Sequence, residues 1–417
     1  MTTRDARVAI LGYGVEGQSV ERYFRGWAEI KVFDEKNGVD FEKLDFSEFD
    51  YVFRSPSVRP DRIETERLSD GSKYSFDRVT SATRYFFEKC PAKIIGVTGT
   101  KGKGTTCSLI AEILKAAGRK VWLVGNIGAA ALDVLDEISG DDIVVYELSS
   151  FQLWDMTRSP HVAVVVHMES DHMDVHKDMA EYAAAKGNIA RWQREDDVVV
   201  YDKTNPMSTE IAELSQGQKV GYPTGEFEEL LNKLVIPGEH NRMNGEAAIL
   251  AVRAVGVEDE KAIADGLGSF TGLPHRLKFV REVEGVKYYD DSISTTPGSA
   301  IAAIRAFAEP KILILGGSSK GADFHGLAEV VRDGNVKKVV LVGPEGEKLE
   351  QDLIGAGYEK IVRVTEVPYD MKNVVKITTE TAEDGDVVIL SPACASFDSF
   401  KNYADRGDQF IAAVEAI

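Results

Sequence analysis

The chain has 417 residues, 43% hydrophobic and 28% charged, with a formal net charge of −19 from 49 Lys+Arg against 68 Asp+Glu. That length allows roughly two to four domains with ample core, and the acidity excludes the broad basic footprint of general nucleic-acid binding. The three cysteines, Cys90, Cys107 and Cys394, are far apart and form no CxxC pair, which excludes a disulfide framework or zinc ribbon and fits a reducing compartment.

The opening residues run almost at once into a strand pattern at Val8–Leu11, without the apolar centre of a signal peptide. No apolar run approaches the ~18 residues of a membrane span, so a cytoplasmic protein without membrane insertion is expected. A helical pattern from about Val15 to Arg25 follows, then strands at Ile30–Phe33 and Tyr51–Phe53. Pro91, after the charged stretch Arg84–Lys89, marks a boundary. The second block opens with a strand at Lys93–Val97, a glycine loop and a helix from about Thr105 to Ala117, with Gly118 as its stop. Buried-strand runs recur at Ile143–Tyr146, Val162–Val166 and Val198–Tyr201, and 238–268 reads as a helical pair packed on this block. The third block carries strands at Val286–Tyr289, Lys311–Leu315, Lys338–Val342 and Asp386–Leu390. Strands alternating with helices predict α/β architecture with parallel sheets. The expected domains are 1–90, 91–271 and 272–417.

Gly12-Tyr13-Gly14-Val15-Glu16-Gly17 follows a strand and opens a helix, and Asp34 ends the next strand. This is a dinucleotide fingerprint: a tight turn, close backbone approach to a diphosphate and a helix N-terminus facing it. It fits an NAD-dependent dehydrogenase, a domain gripping another diphosphate such as a UDP-sugar, or a turn selected for packing. Gly96–Thr106 (GVTGTKGKGTT) sits at a strand end and starts a second helix. Its amides can wrap a triphosphate, Lys103 can neutralise it, and Thr105 or Thr106 can offer a hydroxyl to Mg²⁺. The loop departs from the usual phosphate-loop spacing, and Gly104 replaces the Ser or Thr expected after the lysine. Glu147 ends the next buried strand, at the ligand edge of a parallel sheet, and is a candidate Mg²⁺ ligand. The run His167–His176 is dense in potential ligands. Its spacing is not HExxH and no thiolate stands nearby, so nucleotide-linked Mg²⁺ is favoured over zinc.

His275-Arg276 follows Gly272-Leu273-Pro274 and can reach phosphates across a hinge. Three further strand ends carry caps and hydroxyls: Asp290–Pro297, Leu315–Lys320 and Ser391–Lys401. If the third block is parallel they meet at one sheet edge, suited to a small carboxylate-bearing substrate.

Taken together, GVTGTKGKGTT, YELSSFQL, SDHMD, GLPHR, DDSISTTP and LSPACASFDSFKNYADRGDQF resemble the Mur ligases over nearly the whole chain, and among them the D-glutamate-adding branch. The resemblance implies a Rossmann-like N-terminal domain for the UDP-substrate, a central ATPase domain with a mostly parallel sheet, and a Rossmann-like C-terminal domain for the incoming amino acid. It implies an ATP-dependent, ADP-forming ligase of cytoplasmic peptidoglycan-precursor synthesis, joining D-glutamate to UDP-N-acetylmuramoyl-L-alanine through an acyl phosphate. L-glutamate or another amino acid, a dehydrogenase and a non-catalytic nucleotide-binding regulator are the alternatives. Under the resemblance Gly14, Val15, Glu16, Gly17, Asp34, Ser55 and Asn126 would meet the UDP-substrate. Gly99, Thr100, Lys101, Gly102, Lys103, Gly104, Thr105 and Thr106 would hold ATP, completed by Asn241, Asn244, His275, Arg276 and Asp291. Thr105, Glu147, His172 and Lys186 as a carbamate would serve two Mg²⁺ ions, and Lys103, His172 and Lys186 would be catalytic. Thr295, Lys320, Ser396, Phe397 and Tyr403 would receive the amino acid. Departures from the family pattern stand at Gly104, at Ile293 (commonly Lys) and at His167 (commonly Asn). A monomer that binds no nucleic acid is expected.

Overall fold

A computed structural model describes residues 6–35, 48–64, 79–171, 175–319 and 321–417. His172 and Lys320 lie outside the described residues. The chain divides into two compact units, one of Met1–Lys233 with Arg242–Ser269, the other of Leu234–Asn241 with Phe270–Ile417.

The first unit contains two parallel sheets. The smaller has β1 (Ala6–Leu11), β2 (Ala28–Phe33), β3 (Tyr51–Arg54) and β4 (Val79–Thr80) in the order β2-β1-β3-β4, with helices α1 (Val15–Phe24), α2 (Pro60–Glu64) and α3 (Ala82–Lys89). The larger has β5 (Lys93–Thr98), β6 (Val121–Gly125), β7 (Ile143–Glu147), β8 (Val162–Val165), β9 (Val198–Asp202) and β10 (Gln218–Tyr222), ordered β10-β9-β8-β5-β7-β6 and parallel throughout. Its helices are α4 (Lys103–Ala116), α5 (Ala131–Val134), α6 (Ser150–Leu153), α7 (Met179–Arg191), α8 (Pro206–Ala212), α9 (Glu228–Leu231), α10 (Glu239–Ala254) and α11 (Glu260–Ser269). The inner strands β5, β7 and β8 are almost wholly buried apolar runs because helices cover both faces. The 90/91 junction falls between α3 and β5. The sheets on either side share one apolar cluster, in which Val8, Phe24 and Phe53 join Ile94, Tyr146 and Val165.

Gly118 ends α4 as its position suggests. It adopts φ of 72°, its N–H donates to the Lys115 carbonyl, and the Arg119 N–H donates to that of Leu114. This pairing satisfies two carbonyls that a helix end otherwise leaves orphaned. The expected helical pair appears as α10 and α11. Gly266 of α11 lies so close to α4 that a Cβ there would stand 2.4 Å from Ile113 Cα.

The second unit is built on one sheet of β11 (Lys278–Val283), β12 (Val286–Asp290), β13 (Lys311–Gly316), β14 (Val336–Val342), β15 (Ile361–Arg363) and β16 (Val387–Leu390), with α12 (Pro297–Arg305), α13 (His325–Asp333), α14 (Gly346–Gly355), α15 (Met371–Thr379) and α16 (Tyr403–Glu415). The order is β11-β12-β16-β13-β14-β15, parallel except for the antiparallel edge β11. Alternation along β13 feeds two layers: Leu313 and Leu315 enter one apolar cluster, Ile312 and Ile314 the other.

Candidate active site

The glycine loop leaves the C-terminal end of β5 and is fixed by its neighbours. Thr98 Oγ1 donates to the Leu148 carbonyl at 2.8 Å, and the Thr100 N–H to that of His167 at 2.8 Å. Thr100 Oγ1 also meets the Glu169 carbonyl at 3.0 Å and the Tyr182 hydroxyl at 2.9 Å. Lys101 is exposed and pairs with Glu169 at 2.6 Å. Gly102 caps α4 with φ of 92°, and a Cβ there would lie 2.3 Å from Asn244 Oδ1. Both the left-handed turn and the close approach therefore demand glycine. The first turn of α4 has no acidic residue, so its dipole favours an anion. Lys103 Nζ donates to the carbonyls of Gly99 at 3.0 Å and Thr100 at 2.9 Å, which keeps the ammonium within the loop's curve. Gly104, Thr105 and Thr106 are buried behind it, and Thr106 Oγ1 is buried with no hydrogen-bond partner.

A second set of charges converges on the same loop. Glu147 ends β7 in register with Val97 of β5 and Gly125 of β6, and is buried. The Asn126 N–H donates to the Glu147 carbonyl at 3.3 Å, so exposed Asn126 begins the turn beside it. Lys186, on α7, is only 2% exposed. Its Nζ donates to the Gly99 carbonyl at 2.8 Å and lies 4.8 Å from the Tyr182 ring centre. Burial, then the charge of Lys103, drive its pKa well below the ordinary lysine value, while Asp171 and Glu147 pull the other way. Lys103, Glu147, Asp171 and Lys186 thus share one electrostatic neighbourhood at the loop. A cavity of about 500 Å³, lined by Arg59, Trp154, Lys177, Asn188, Arg191 and Trp192 among others, opens elsewhere and holds none of these groups.

The N-terminal fingerprint forms the expected turn. Gly12 adopts φ of 82°, its carbonyl accepts from Ser55 Oγ at 2.6 Å, and the Tyr13 N–H donates to Asp34 at 2.8 Å. A Cβ on Gly17 would stand 2.4 Å from the Gly12 carbonyl oxygen, so this glycine lets α1 approach the turn. Gly14 caps α1 without a side-chain hydrogen bond, and Val15 is 72% exposed beside it. Glu16 behaves differently from its neighbours. Its carboxylate accepts from Gln152 Nε2 at 2.6 Å, its Oε2 is buried without a partner, and burial raises its pKa.

In the second unit the three strand ends do meet at one edge, because β12, β16 and β13 are adjacent and parallel. Asp291 is buried there. It accepts from the Leu277 N–H at 3.1 Å and from the hydroxyls of Ser391, at 2.7 Å, and Ser294. Burial pushes its pKa up to about 6 against the pull of those bonds. His275 Nδ1 lies 2.7 Å from Asp290, a pairing that raises the imidazole pKa although burial opposes it. His275 holds a left-handed φ of 59°, and a Cβ on Gly407 would come within 2.1 Å of its Nδ1. Ser396 is buried, whereas Phe397 and Tyr403 are exposed and Thr295 and Ile293 half-buried. Thr296, with Pro297 next, caps α12. Arg276 is exposed. Asn241 is buried and donates to the Pro237 carbonyl at 2.6 Å.

Sequence patterns do not single out two groups that organise these sites. Tyr182 bridges the loop to α7. Arg406, in α16 and fully buried, donates from Nε to Ser292 Oγ at 2.9 Å, from Nη2 to the Ser292 carbonyl at 2.8 Å, and from Nη1 to the Cys394 and Ala395 carbonyls. Arg406 falls within the LSPACASFDSFKNYADRGDQF motif, but no role for it follows from the motif's pattern.

Known proteins resemble this chain in sequence and fold. Family models for the Mur ligase middle domain and the Mur ligase glutamate ligase domain match residues 97–229 and 275–394. The UDP-N-acetylmuramoylalanine–D-glutamate ligase of Acetivibrio thermocellus is 37% identical, over 99% of this chain and 97% of its own length. The chain belongs to the Mur ligase family. The protein of the same name from Clostridium tetani is 36% identical, over 97% of this chain and 95% of its own. Among solved structures, the Mur ligase fold recurs in the UDP-N-acetylmuramate-alanine ligase of Thermotoga maritima (TM-score 0.61, 17% identity, 98% of this chain and 99% of that one). It recurs also in the MurF ligase of the same organism in complex with ADP (TM-score 0.58, 18% identity, 99% and 95%). No helix among the described residues is long and apolar enough to cross a membrane.

Proposed function

We propose that this Mur ligase joins D-glutamate to UDP-N-acetylmuramoyl-L-alanine, cleaving ATP to ADP and phosphate. The observation that carries the reading is the near-full-length similarity, at 37% identity, to a ligase of that name. The geometry supports it. The glycine loop with Lys103 and the uncompensated start of α4 suit the triphosphate. The turn of Gly14, Val15, Gly17, Asp34 and Ser55 offers amides, a carboxylate for a ribose hydroxyl and an apolar face to UDP, with Asn126 beside Glu147 for the muramoyl group. Glu16 belongs to the same turn, with its carboxylate held by Gln152. Asn244, Asn241, His275, Arg276 and Asp291 are assigned to the nucleotide, and Thr295, Lys320, Ser396, Phe397 and Tyr403 to the amino acid. The three blocks 1–90, 91–271 and 272–417 then correspond to the UDP-substrate, ATP and amino-acid domains of a cytoplasmic monomer.

The residues present fit Mg²⁺. Buried Glu147 would supply a hard oxygen ligand at the loop, and Thr105 and the buried, unpartnered Thr106 hydroxyl follow Gly104, which offers no side chain. His172, and Lys186 once carbamylated, would complete the set for two ions. When bound, the metal neutralises phosphate oxygens. The substrate carboxylate attacks the γ-phosphorus and ADP leaves. The neutral amine of D-glutamate then attacks the acyl phosphate, and the tetrahedral intermediate collapses to the amide as phosphate departs. Lys103 stabilises charge on the transferred group, and the loop amides orient it. The depressed pKa of Lys186 favours the neutral amine, the form that adds CO₂ to give a carbamate.

A phosphate-release assay with ATP and UDP-N-acetylmuramoyl-L-alanine against a panel of D- and L-amino acids tests the assignment. D-glutamate should be the preferred acceptor. Preference for L-glutamate or another amino acid would overturn the specificity, and no acceptor-dependent phosphate release at all would overturn the activity.

A further inference from the structure

Arg59 lies in the turn after β3, four residues beyond Ser55. Ser55 holds the Gly12 carbonyl, and the Val58 N–H donates to the Ser55 carbonyl at 2.9 Å. Arg54 fixes the same turn by donating to the Ser55 carbonyl at 3.2 Å and that of Val58 at 2.8 Å. The turn is therefore pinned by hydrogen bonds and continuous with the fingerprint that would hold the UDP group.

The other end of Arg59 grips the start of α7. Its guanidinium donates to both oxygens of Asp61 at 3.0 Å, to Glu181 Oε1 at 2.8 Å and to the Val175 carbonyl. It also lies 4.7 Å from the Trp154 ring centre, just beyond α6. Glu181 in turn accepts from the Lys177 N–H at 2.8 Å and lies 3.6 Å from Nδ1 of fully buried His176. His176 Nε2 meets Ser150 Oγ at 3.0 Å, three residues after Glu147. The residue after Glu181 is Tyr182, which holds Thr100 of the glycine loop, and one turn later comes Lys186. One planar fork thus connects the Gly12–Ser55 turn to the helix that carries Tyr182 and Lys186.

We propose that Arg59 is a positioning residue that couples occupancy of the UDP-substrate turn to nucleotide binding at the glycine loop, a role that rests on the ligase reading above. A fork of five N–H donors in fixed geometry satisfies two carboxylates and a carbonyl at once, which a lysine ammonium cannot reproduce. A ligand held at the Gly12–Ser55 turn fixes the 55–59 turn, and through the Arg59 fork it fixes Glu181 and the Tyr182–Thr100 contact. By linkage the effect is reciprocal.

The test is calorimetric titration of a non-hydrolysable ATP analogue, with and without saturating UDP-N-acetylmuramoyl-L-alanine, in the wild type, Arg59→Lys, Arg59→Ala and Glu181→Gln. The wild type should show an affinity ratio of about fivefold or more between the two conditions. All three variants should bring the ratio close to one, while affinity for the analogue alone changes less than about threefold. Thermal melts and analogue binding confirm that each variant is folded, and Arg59→Lys retains the charge if Arg59→Ala does not fold. A ratio that survives in Arg59→Lys and Glu181→Gln overturns the proposal, as does a wild-type ratio of one, and the ligase reading then stands wherever the substrate itself binds. Failure of the wild type to bind UDP-N-acetylmuramoyl-L-alanine overturns both.

Discussion

At the scale of single residues, two buried groups, one in each unit, use burial in opposite directions. Lys186 is buried among one cation and two acids, and the balance favours the neutral amine. If it carries a carbamate that ligates metal, Lys186→Ala should lower turnover by about 100-fold or more, the scale of a lost electrostatic group at a reacting centre. Millimolar formate or acetate should restore part of it, and rescue that is absent across a concentration series would argue for a purely structural lysine. Asp291 is the opposite case, a buried acid whose pKa rises to about 6. The folded state then holds a proton that the unfolded chain has lost above about pH 4. Its contribution to stability is complete below that pH and disappears as pH rises through about 6, a change of about 2–3 kcal/mol. Asp291→Asn keeps the acceptor for Leu277 and leaves both serines a partner. It should flatten the decline in unfolding free energy between pH 4 and 7, measured by denaturant titration, and an unchanged slope would show that Asp291 ionises normally.

At the scale of elements, the inner strands and one edge strand, β2, were legible in the sequence, and the other edge strands were not. β5, β7, β8 and β9 appear as apolar runs because both faces are covered. The strands without a signal, β4, β6, β10, β11 and β15, all lie at sheet edges. Gln218, Lys219 and Arg363 are exposed on them, as expected where one side is unpaired and solvent interrupts the apolar pattern. The same distinction holds for the site. Gly102, Lys103 and Glu147 follow from strand-end position and chemistry. Arg406 does not, since its value lies in four acceptors contributed by Ser292, Cys394 and Ala395, more than a hundred or about ten residues away in sequence and brought together only by the β12–β16 pairing. From that arrangement, Arg406→Lys should destabilise the protein by about 2–4 kcal/mol, because a buried ammonium leaves carbonyls of the 391–397 turn unsatisfied. It should also raise the KM for the amino acid more than that for ATP. Equal effects on both would place the turn outside the amino-acid site.

At the scale of the whole molecule, the net charge of −19 must be reconciled with the three anionic substrates of the proposed reaction. Local features supply attraction: the start of α4, Lys103, and the amides of the Gly12–Gly14 turn. These act at contact distances and are little screened once a ligand has docked. The mean field acts at longer range and repels a nucleotide on approach. At about 20 mM ionic strength the Debye length exceeds ~20 Å, and near 150 mM it falls to ~8 Å, so added salt removes the long-range repulsion before it weakens the docked contacts. The expected outcome is that kcat/KM for the UDP-substrate rises by about two- to fivefold between those salt concentrations, with Mg²⁺ and ATP saturating, while kcat stays nearly constant. A basic surface patch at the entrance would give the reverse, a kcat/KM that falls steadily with salt. Stopped-flow association of a fluorescent UDP-substrate analogue separates the two, because repulsive steering appears in the association rate and leaves the dissociation rate almost unchanged.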